Sequence, residues 1–198
     1  MKSKVLTHFR KVDPILAAAA EKVALVELKW RQSEDFFAAL CGAIVGQQLS
    51  DKVAEVIYAR LEKLGKGKLS PDIISKLSDQ ELRDTGVSWS KVKFIKNLAE
   101  NVKSGAIELE KLTELEDKLV ITELVKLHGI GPWTAEMFLM FSLGREDVFS
   151  PGDLGLKRAI QKLYGFKKEP TKQQLLKISS KWSPYRTYAS LVLWKVMD

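Results

Sequence analysis

Leu127-His128-Gly129-Ile130-Gly131-Pro132-Trp133-Thr134-Ala135 is the stretch that decides how this chain is read. An apolar run over residues 119–127 predicts a helix that ends at His128. Two glycines one residue apart then predict a tight turn, since glycine allows positive φ and lets another backbone come close. Pro132 suits the first turn of a new helix, where the N–H it lacks would have no partner. The pattern is helix, hairpin, helix. N–H groups at the start of the second helix form an anion site, and phosphate is the natural anion for a chain of net charge +7. A lone Gly-x-Gly is most often only a turn. Here helices flank both sides, Pro-Trp-Thr-Ala follows, and Asp153 lies about one helix further on.

Working outward, the 198 residues suit one large domain or two small lobes. A hydrophobic content of 45% marks a globular chain. Thirty-two Lys and Arg against 25 Asp and Glu favour a polyanionic partner without naming one. Cys41 is the single cysteine, which excludes an internal disulfide and a cysteine-based zinc or iron–sulfur site. Its neighbours Ala38, Ala39, Leu40 and Ala43 predict that it is buried. His8 and His128 are the only histidines, too few for a histidine metal cluster. The basic residues 1–11 have no signal-peptide core, and no apolar run nears the ~18 residues of a membrane span. A soluble intracellular protein is expected, in the cytoplasm or nucleoid, or in the nucleus of a eukaryote.

Asp13-Pro14 is read as opening the first helix, to about residue 26. Lys29-Trp30-Arg31 is a connection, and Ser33 caps a second helix over residues 34–46. That helix is apolar nearly all round, so it is expected in the centre of the fold. Gln47 and Gln48 follow, two amides that either reach a ligand or satisfy the loop's own backbone. Ser78 to Glu81 and Thr171 to Gln174 have capping-box spacing. Ser90 is read as the cap of a helix with Lys91, Lys93 and Lys96 at its start, where cations oppose the helix dipole. They suit either a nearby duplex backbone or a solvated face. The acidic run from Glu108 to Asp117 reads as solvated surface. Asp153 is placed to cap a helix over residues 154–164. About ten helices emerge and no strand, so the fold class is all-α. The lobes are set at residues 1–46 with 145–198, and residues 47–144.

Together with Pro151-Gly152-Asp153, the opening stretch resembles the helix-hairpin-helix DNA glycosylases, in particular their alkyladenine branch. Supporting stretches are Gly46-Gln47-Gln48-Leu49-Ser50, Gly152-Asp153-Leu154-Gly155-Leu156-Lys157 and Trp182-Ser183-Pro184-Tyr185-Arg186-Thr187-Tyr188-Ala189. Four separated motifs occur in the family's order, across about residues 30 to 196. The chain begins directly with the helical lobes, like the family's short yeast-type members, which lack the extra N-terminal β-domain of the long bacterial enzyme. The resemblance implies one glycosylase domain over residues 1–198. Its two helical lobes would flank a cleft, into which an alkylated base flipped from duplex DNA is taken.

The resemblance also implies roles. Asp153 would be the catalytic carboxylate beside the sugar. Trp133 stands where bifunctional relatives carry a lysine that forms a Schiff base, so a water nucleophile and no strand cleavage are implied. Trp133 and Trp194 match aromatics of the base pocket, which would hold a cationic base by stacking and cation–π attraction. By helical spacing alone, Trp194 also reads as core. Met137 replaces a pocket tyrosine of the long bacterial enzyme, which puts neutral lesions in doubt. Gln48 would be the wedge that fills the gap left by the base. Gly129, Ile130, Gly131 and Trp133 would hold a phosphate, with Lys91 and Lys93 as further DNA contacts. No cofactor is required, although the carbonyls of Leu127 and Ile130 are the expected place for a structural monovalent cation. A monomer acting on duplex DNA is expected. Two other readings stay open: a non-catalytic binder of DNA structures, and a glycosylase for a different lesion.

Overall fold

The structure, a computed structural model, describes residues 2–25 and 35–197. Among these residues there are helices and no strand. The connection at Lys29-Trp30-Arg31 and the cap at Ser33 lie outside them. No described helix is long and apolar enough to cross a membrane.

The chain divides into two compact units, Met1–Arg31 with Gly144–Asp198, and Gln32–Leu143. The boundary read from the sequence at residue 46 therefore moves to 31. The physical reason is the apolar helix α3 (Phe36–Gly46), which belongs with the second unit. It packs there against α4 (Asp51–Leu64), α7 (Trp89–Lys103) and α9 (Pro132–Phe141). Phe37, Leu40, Cys41, Ile44 and Val45 of α3 are buried, and none of its residues is exposed. Burial pushes the Cys41 thiol far above its ordinary range, so it stays protonated. Asp35 caps α3 by accepting the Ala38 N–H at 2.9 Å.

Among the described residues three further helices lie in the second unit: α5 (Pro71–Lys76), α6 (Asp79–Asp84) and α8 (Asp117–Leu124). Ser78 and Glu81 form the expected capping box of α6. The cap of α7 is Ser88, two residues before the expected Ser90. Val92, Ile95, Leu98 and Ala99 form its buried stripe, as the spacing predicts. Glu108, Glu110 and Glu114 are exposed on a 3-10 turn.

The first unit holds α1 (Lys2–Val12), α2 (Pro14–Lys22), α10 (Leu154–Leu163), α11 (Lys172–Ser179) and α12 (Arg186–Lys195). Helix α1 is absent from the sequence reading, so Asp13-Pro14 opens the second helix and not the first. Its signal was Val5 and Phe9, four residues apart and both fully buried. Its basic residues obscured that stripe. Asp13 sits at the corner between the two helices with one carboxylate engaged three times. Its Oδ1 caps α2 at the Leu16 N–H, 3.1 Å away. Its Oδ2 accepts the Tyr164 hydroxyl at 2.6 Å and the Trp182 indole N–H at 2.9 Å. Burial and this bond hold the Tyr164 phenol well above its usual pKa.

A second carboxylate pins the segment that leads to Asp153. Asp147 accepts the Arg186 guanidinium at 2.7 and 3.0 Å and the Ser183 hydroxyl at 2.7 Å. Beside it, Thr187 donates to the Arg145 carbonyl at 2.6 Å and accepts the Val148 N–H at 3.1 Å. The start of α12 thus holds residues 145–148 in place.

Asp13→Ala removes a cap and leaves two buried donors without that acceptor. A loss of about 2–5 kcal/mol in urea unfolding is expected. Asp147 gives a pH signature. Burial raises its pKa, but the bonds from Arg186 and Ser183 outweigh that and leave it lowered. A lowered folded pKa contributes stability above the unfolded value, about pH 4, that is lost as pH falls through the folded one. Urea midpoints of Asp147→Asn should therefore fall less between neutral and acid pH than those of the wild type. Parallel pH curves would show that the pair contributes nothing.

Candidate nucleic-acid interface and carboxylate site

The second unit presents the hairpin. Helix α8 ends at Leu124 and α9 begins at Pro132, at N1 as expected. Gly131 is the N-cap and gives the opening turn of α9 no side-chain cap. The Ile130 N–H closes the turn on the Leu127 carbonyl at 3.1 Å. A concave surface of about 530 Å³ is lined by residues 125–131 and by Phe94 of α7.

The two glycines turn out to differ. Gly129 has φ +89°, and a Cβ there would lie 2.1 Å from the Phe94 ring. Both its conformation and its packing require glycine. Gly131 has φ −94°, and a Cβ would meet nothing within 4 Å among the described residues. Nothing described within the fold demands glycine at 131.

Helix α7 supports this turn from below. The Phe94 ring meets His128 edge-on, with centroids 4.8 Å apart. One turn later, Asn97 Oδ1 accepts the His128 N–H at 3.1 Å. Neither Phe94 nor Asn97 was picked out from the sequence. Their signal was there: an aromatic at 94 stands off the buried stripe and needs a partner elsewhere.

The two glutamines after α3 separate cleanly. Gln47 is half-buried, and its Nε2 donates to the Gly129 carbonyl at 2.9 Å and to Thr134 Oγ1 at 3.3 Å. Gln48 is exposed and left-handed, with φ +58°. Gln47 thus serves the backbone of a distant turn and not that of its own loop, which neither reading of the sequence offers.

The lysines at the start of α7 do not share one role. Lys91 turns inward and donates from Nζ to the carbonyls of Val45 at 2.9 Å and Gln47 at 2.8 Å. Burial lowers its pKa. Its ammonium closes the C-terminal end of α3, so the expected DNA contact at Lys91 is withdrawn. Lys96 donates to the Leu77 carbonyl. Lys93 is exposed, as a backbone contact requires. Trp133 is 39% exposed on the first turn of α9, and Met137 is half-buried one turn later. The Leu127 carbonyl is engaged by Ile130, yet a carbonyl oxygen has two lone pairs. The donor type therefore fits a hard monovalent cation.

The first unit presents the carboxylate. Asp153 is the N-cap of α10, and only 9% of its surface is exposed. Its Oδ1 accepts the Leu156 N–H at 2.7 Å and the Trp194 indole N–H at 3.0 Å. Gly155 makes this possible. A Cβ there would lie 3.1 Å from Asp153 Oδ1 and 3.1 Å from Trp194 Cδ1. Trp194 is half-buried against the core of its unit and faces the carboxylate through its N–H. The two readings of Trp194, pocket wall and core, are joined by a third that the sequence did not suggest. Among the described residues, no group of three or more His, Cys, Asp or Glu is placed to hold a metal ion.

The chain is similar to known proteins in sequence and in fold. The chain is 36% identical to a DNA-3-methyladenine glycosylase of Schizosaccharomyces pombe over 159 residues, 79% of this chain and 70% of that one. It is similar to the crystal structure of a DNA-3-methyladenine glycosidase from Bacillus halodurans, with TM-score 0.81 and 40% identity over 96% of this chain and 87% of that one. It is also similar to a 3-methyladenine DNA glycosylase of Schizosaccharomyces pombe in complex with abasic DNA. That match has TM-score 0.87 and 31% identity, over 97% of this chain and 95% of the other. The family described as HhH-GPD superfamily base excision DNA repair protein matches residues 41–184. With the hairpin, the glutamine turn and the capped carboxylate all in place, the chain belongs to the HhH-GPD superfamily of base excision DNA repair proteins.

Proposed function

We propose that this protein is a monofunctional DNA-3-methyladenine glycosylase. It acts as a monomer on duplex DNA and hydrolyses the N-glycosidic bond of alkylated purines in base excision repair. The observation that carries the reading is the Asp153 carboxylate, oriented by two donors on one oxygen at the start of α10. The relatives named as DNA-3-methyladenine glycosylases supply the substrate class.

The chemistry follows from charge. A 3- or 7-alkylated purine is cationic, so it leaves with the electrons of the glycosidic bond and becomes neutral without acid help. The sugar is left with oxocarbenium character. A fixed carboxylate stabilises that positive charge far better than mobile water does. Water then adds at the anomeric carbon and gives up a proton, for which Asp153 is the acceptor. Trp194 and the Leu156 N–H act through Asp153 by keeping its carboxylate aimed. Trp133 has no amine, so it cannot trap the sugar as a Schiff base. Its exposed ring is suited to hold a cationic base by stacking, and Met137 adds soft apolar surface but no ring.

The second unit grips the duplex. The hairpin offers backbone N–H groups to a phosphate, a contact that positions without reading sequence. Lys93 adds a cation, and Gln48 fills the gap left by the flipped base. The absence of a Cβ at Gly131 is what an approaching strand needs. The carbonyls of Leu127 and Ile130 would hold a monovalent cation beside that phosphate. No residue of the hydrolysis depends on it.

Duplex DNA containing 7-methylguanine should yield free base and an intact abasic strand, with no product trapped by borohydride. Strand cleavage would contradict the water nucleophile. Asp153→Asn keeps the capping oxygen and should still bind the duplex, while single-turnover release falls about a hundredfold or more. The glycines give a second test. Gly129→Ala should lower stability by about 1–3 kcal/mol through overpacking on Phe94. Gly131→Ala should change stability by less than about 0.5 kcal/mol yet weaken duplex binding. Equal binding by Gly131→Ala and wild type would remove the phosphate from the hairpin.

A further inference from the structure

The wedge residue and the phosphate-binding hairpin are far apart in sequence, yet one side chain spans them. Gln47 is held at both ends. Its side-chain amide donates to the Gly129 carbonyl at 2.9 Å and reaches Thr134 Oγ1 at 3.3 Å. Its own carbonyl accepts the Lys91 ammonium at 2.8 Å, and the same ammonium takes the Val45 carbonyl at 2.9 Å. Gln48 follows directly, with φ +58° and its side chain exposed. A non-glycine residue keeps a left-handed backbone only where its surroundings over-determine it. Here the surroundings are Lys91 behind the turn, the Gln47 amide beside it, and the Leu49 N–H, which reaches back across Gln48 to the Gly46 carbonyl at 3.1 Å.

We propose that Gln47 and Lys91 are positioning residues that lock the Gln48 turn to the hairpin, so that seating the hairpin on a DNA strand sets the depth at which Gln48 enters the duplex. The proposal rests on the reading of Gln48 as the wedge and of the hairpin as the phosphate grip. Base stacking resists an inserted side chain, and a wedge on a loose turn would retreat under that load. The brace passes the load to α7 at one end and to the hairpin at the other. The same helix also carries Phe94 and Asn97, which hold Gly129 and His128. Lys91, Phe94 and Asn97 repeat every three residues, so one face of α7 fixes the spacing between the two DNA-engaging turns.

The test uses the full chain with Gln47→Met, Lys91→Met, the double variant and Lys91→Arg. Each is measured for single-turnover release of 7-methylguanine and for affinity to undamaged duplex. Each methionine variant should release base about tenfold more slowly or worse, the scale of a misplaced positioning contact. Affinity for undamaged duplex should stay within about threefold, since the hairpin residues that would meet the phosphate are unchanged. The double variant should be no slower than the slower single, because both act through one brace. Lys91→Arg, which keeps donors for two carbonyls, should restore most of the rate. Wild-type rates in both single variants, or losses that multiply in the double, would overturn the proposal. Amide hydrogen exchange at residues 129–131 in Lys91→Met separates this from failure of the glycosylase reading. Faster exchange at the hairpin, on mutating a lysine that binds the turn, supports the brace even if the wild type releases no base. Unchanged exchange there sinks it.

Discussion

The turn of the hairpin depends on the Phe94 ring packing closely on Gly129. A methyl group at 129 would sit 2.1 Å from that ring, so the contact exists only because the residue is glycine. The contact has two consequences. It fixes the left-handed turn at Gly129, whose φ of +89° no other residue adopts cheaply. It also leaves the Gly129 carbonyl placed to accept the Gln47 amide. Remove the ring contact and the turn loses its floor, and with it the anchor that Gln47 uses. The hairpin turn is therefore shaped by an aromatic residue of another helix, α7.

Much of this was legible in the sequence, and the parts that were not share a cause. Pro132 and the glycines announced the hairpin because each has a backbone consequence at its own position. Asp153, Ser78 and Thr171 announced caps because a cap acts within three residues. Helix α3 announced its burial because it is apolar nearly all round. What could not be read were interactions across large sequence separations. Lys91 looked like a DNA contact because a lysine at a helix start is costly without an anion. Its actual partners are carbonyls 44 and 46 residues earlier in the chain. Asp13 looked like a simple cap, and only the fold brings Tyr164 and Trp182 to its second oxygen. The lobe boundary failed for the same reason. A helix that ends before a polar loop looks like the end of a lobe until its packing partners are known.

Trp194 shows how packing and polar satisfaction meet on one side chain. Its helical spacing reads as core, and the family resemblance reads it as a pocket aromatic. The indole packs against the core of its unit and turns its single polar atom to Asp153. The indole N–H of a half-buried ring is best satisfied by an acceptor, and the capping carboxylate supplies one. The carboxylate in turn gains a second donor on the same oxygen. Gly155 is the concession that lets the ring lie there, since a side chain at 155 would press on both partners. The need for a satisfied N–H and the need for an aimed carboxylate are met by one bond.

Gln47 and Gln48 carry the argument to its sharpest point. They are chemically identical and adjacent, and composition or propensity cannot tell them apart. The backbone does so. Where α3 ends, one residue keeps an extended conformation, φ −53° and ψ 127°, and its side chain turns to the hairpin. The next enters the left-handed region and its side chain turns to solvent. One side chain becomes structure and the other is left exposed. A polar loop after a buried helix is explained only when both residues are accounted for together.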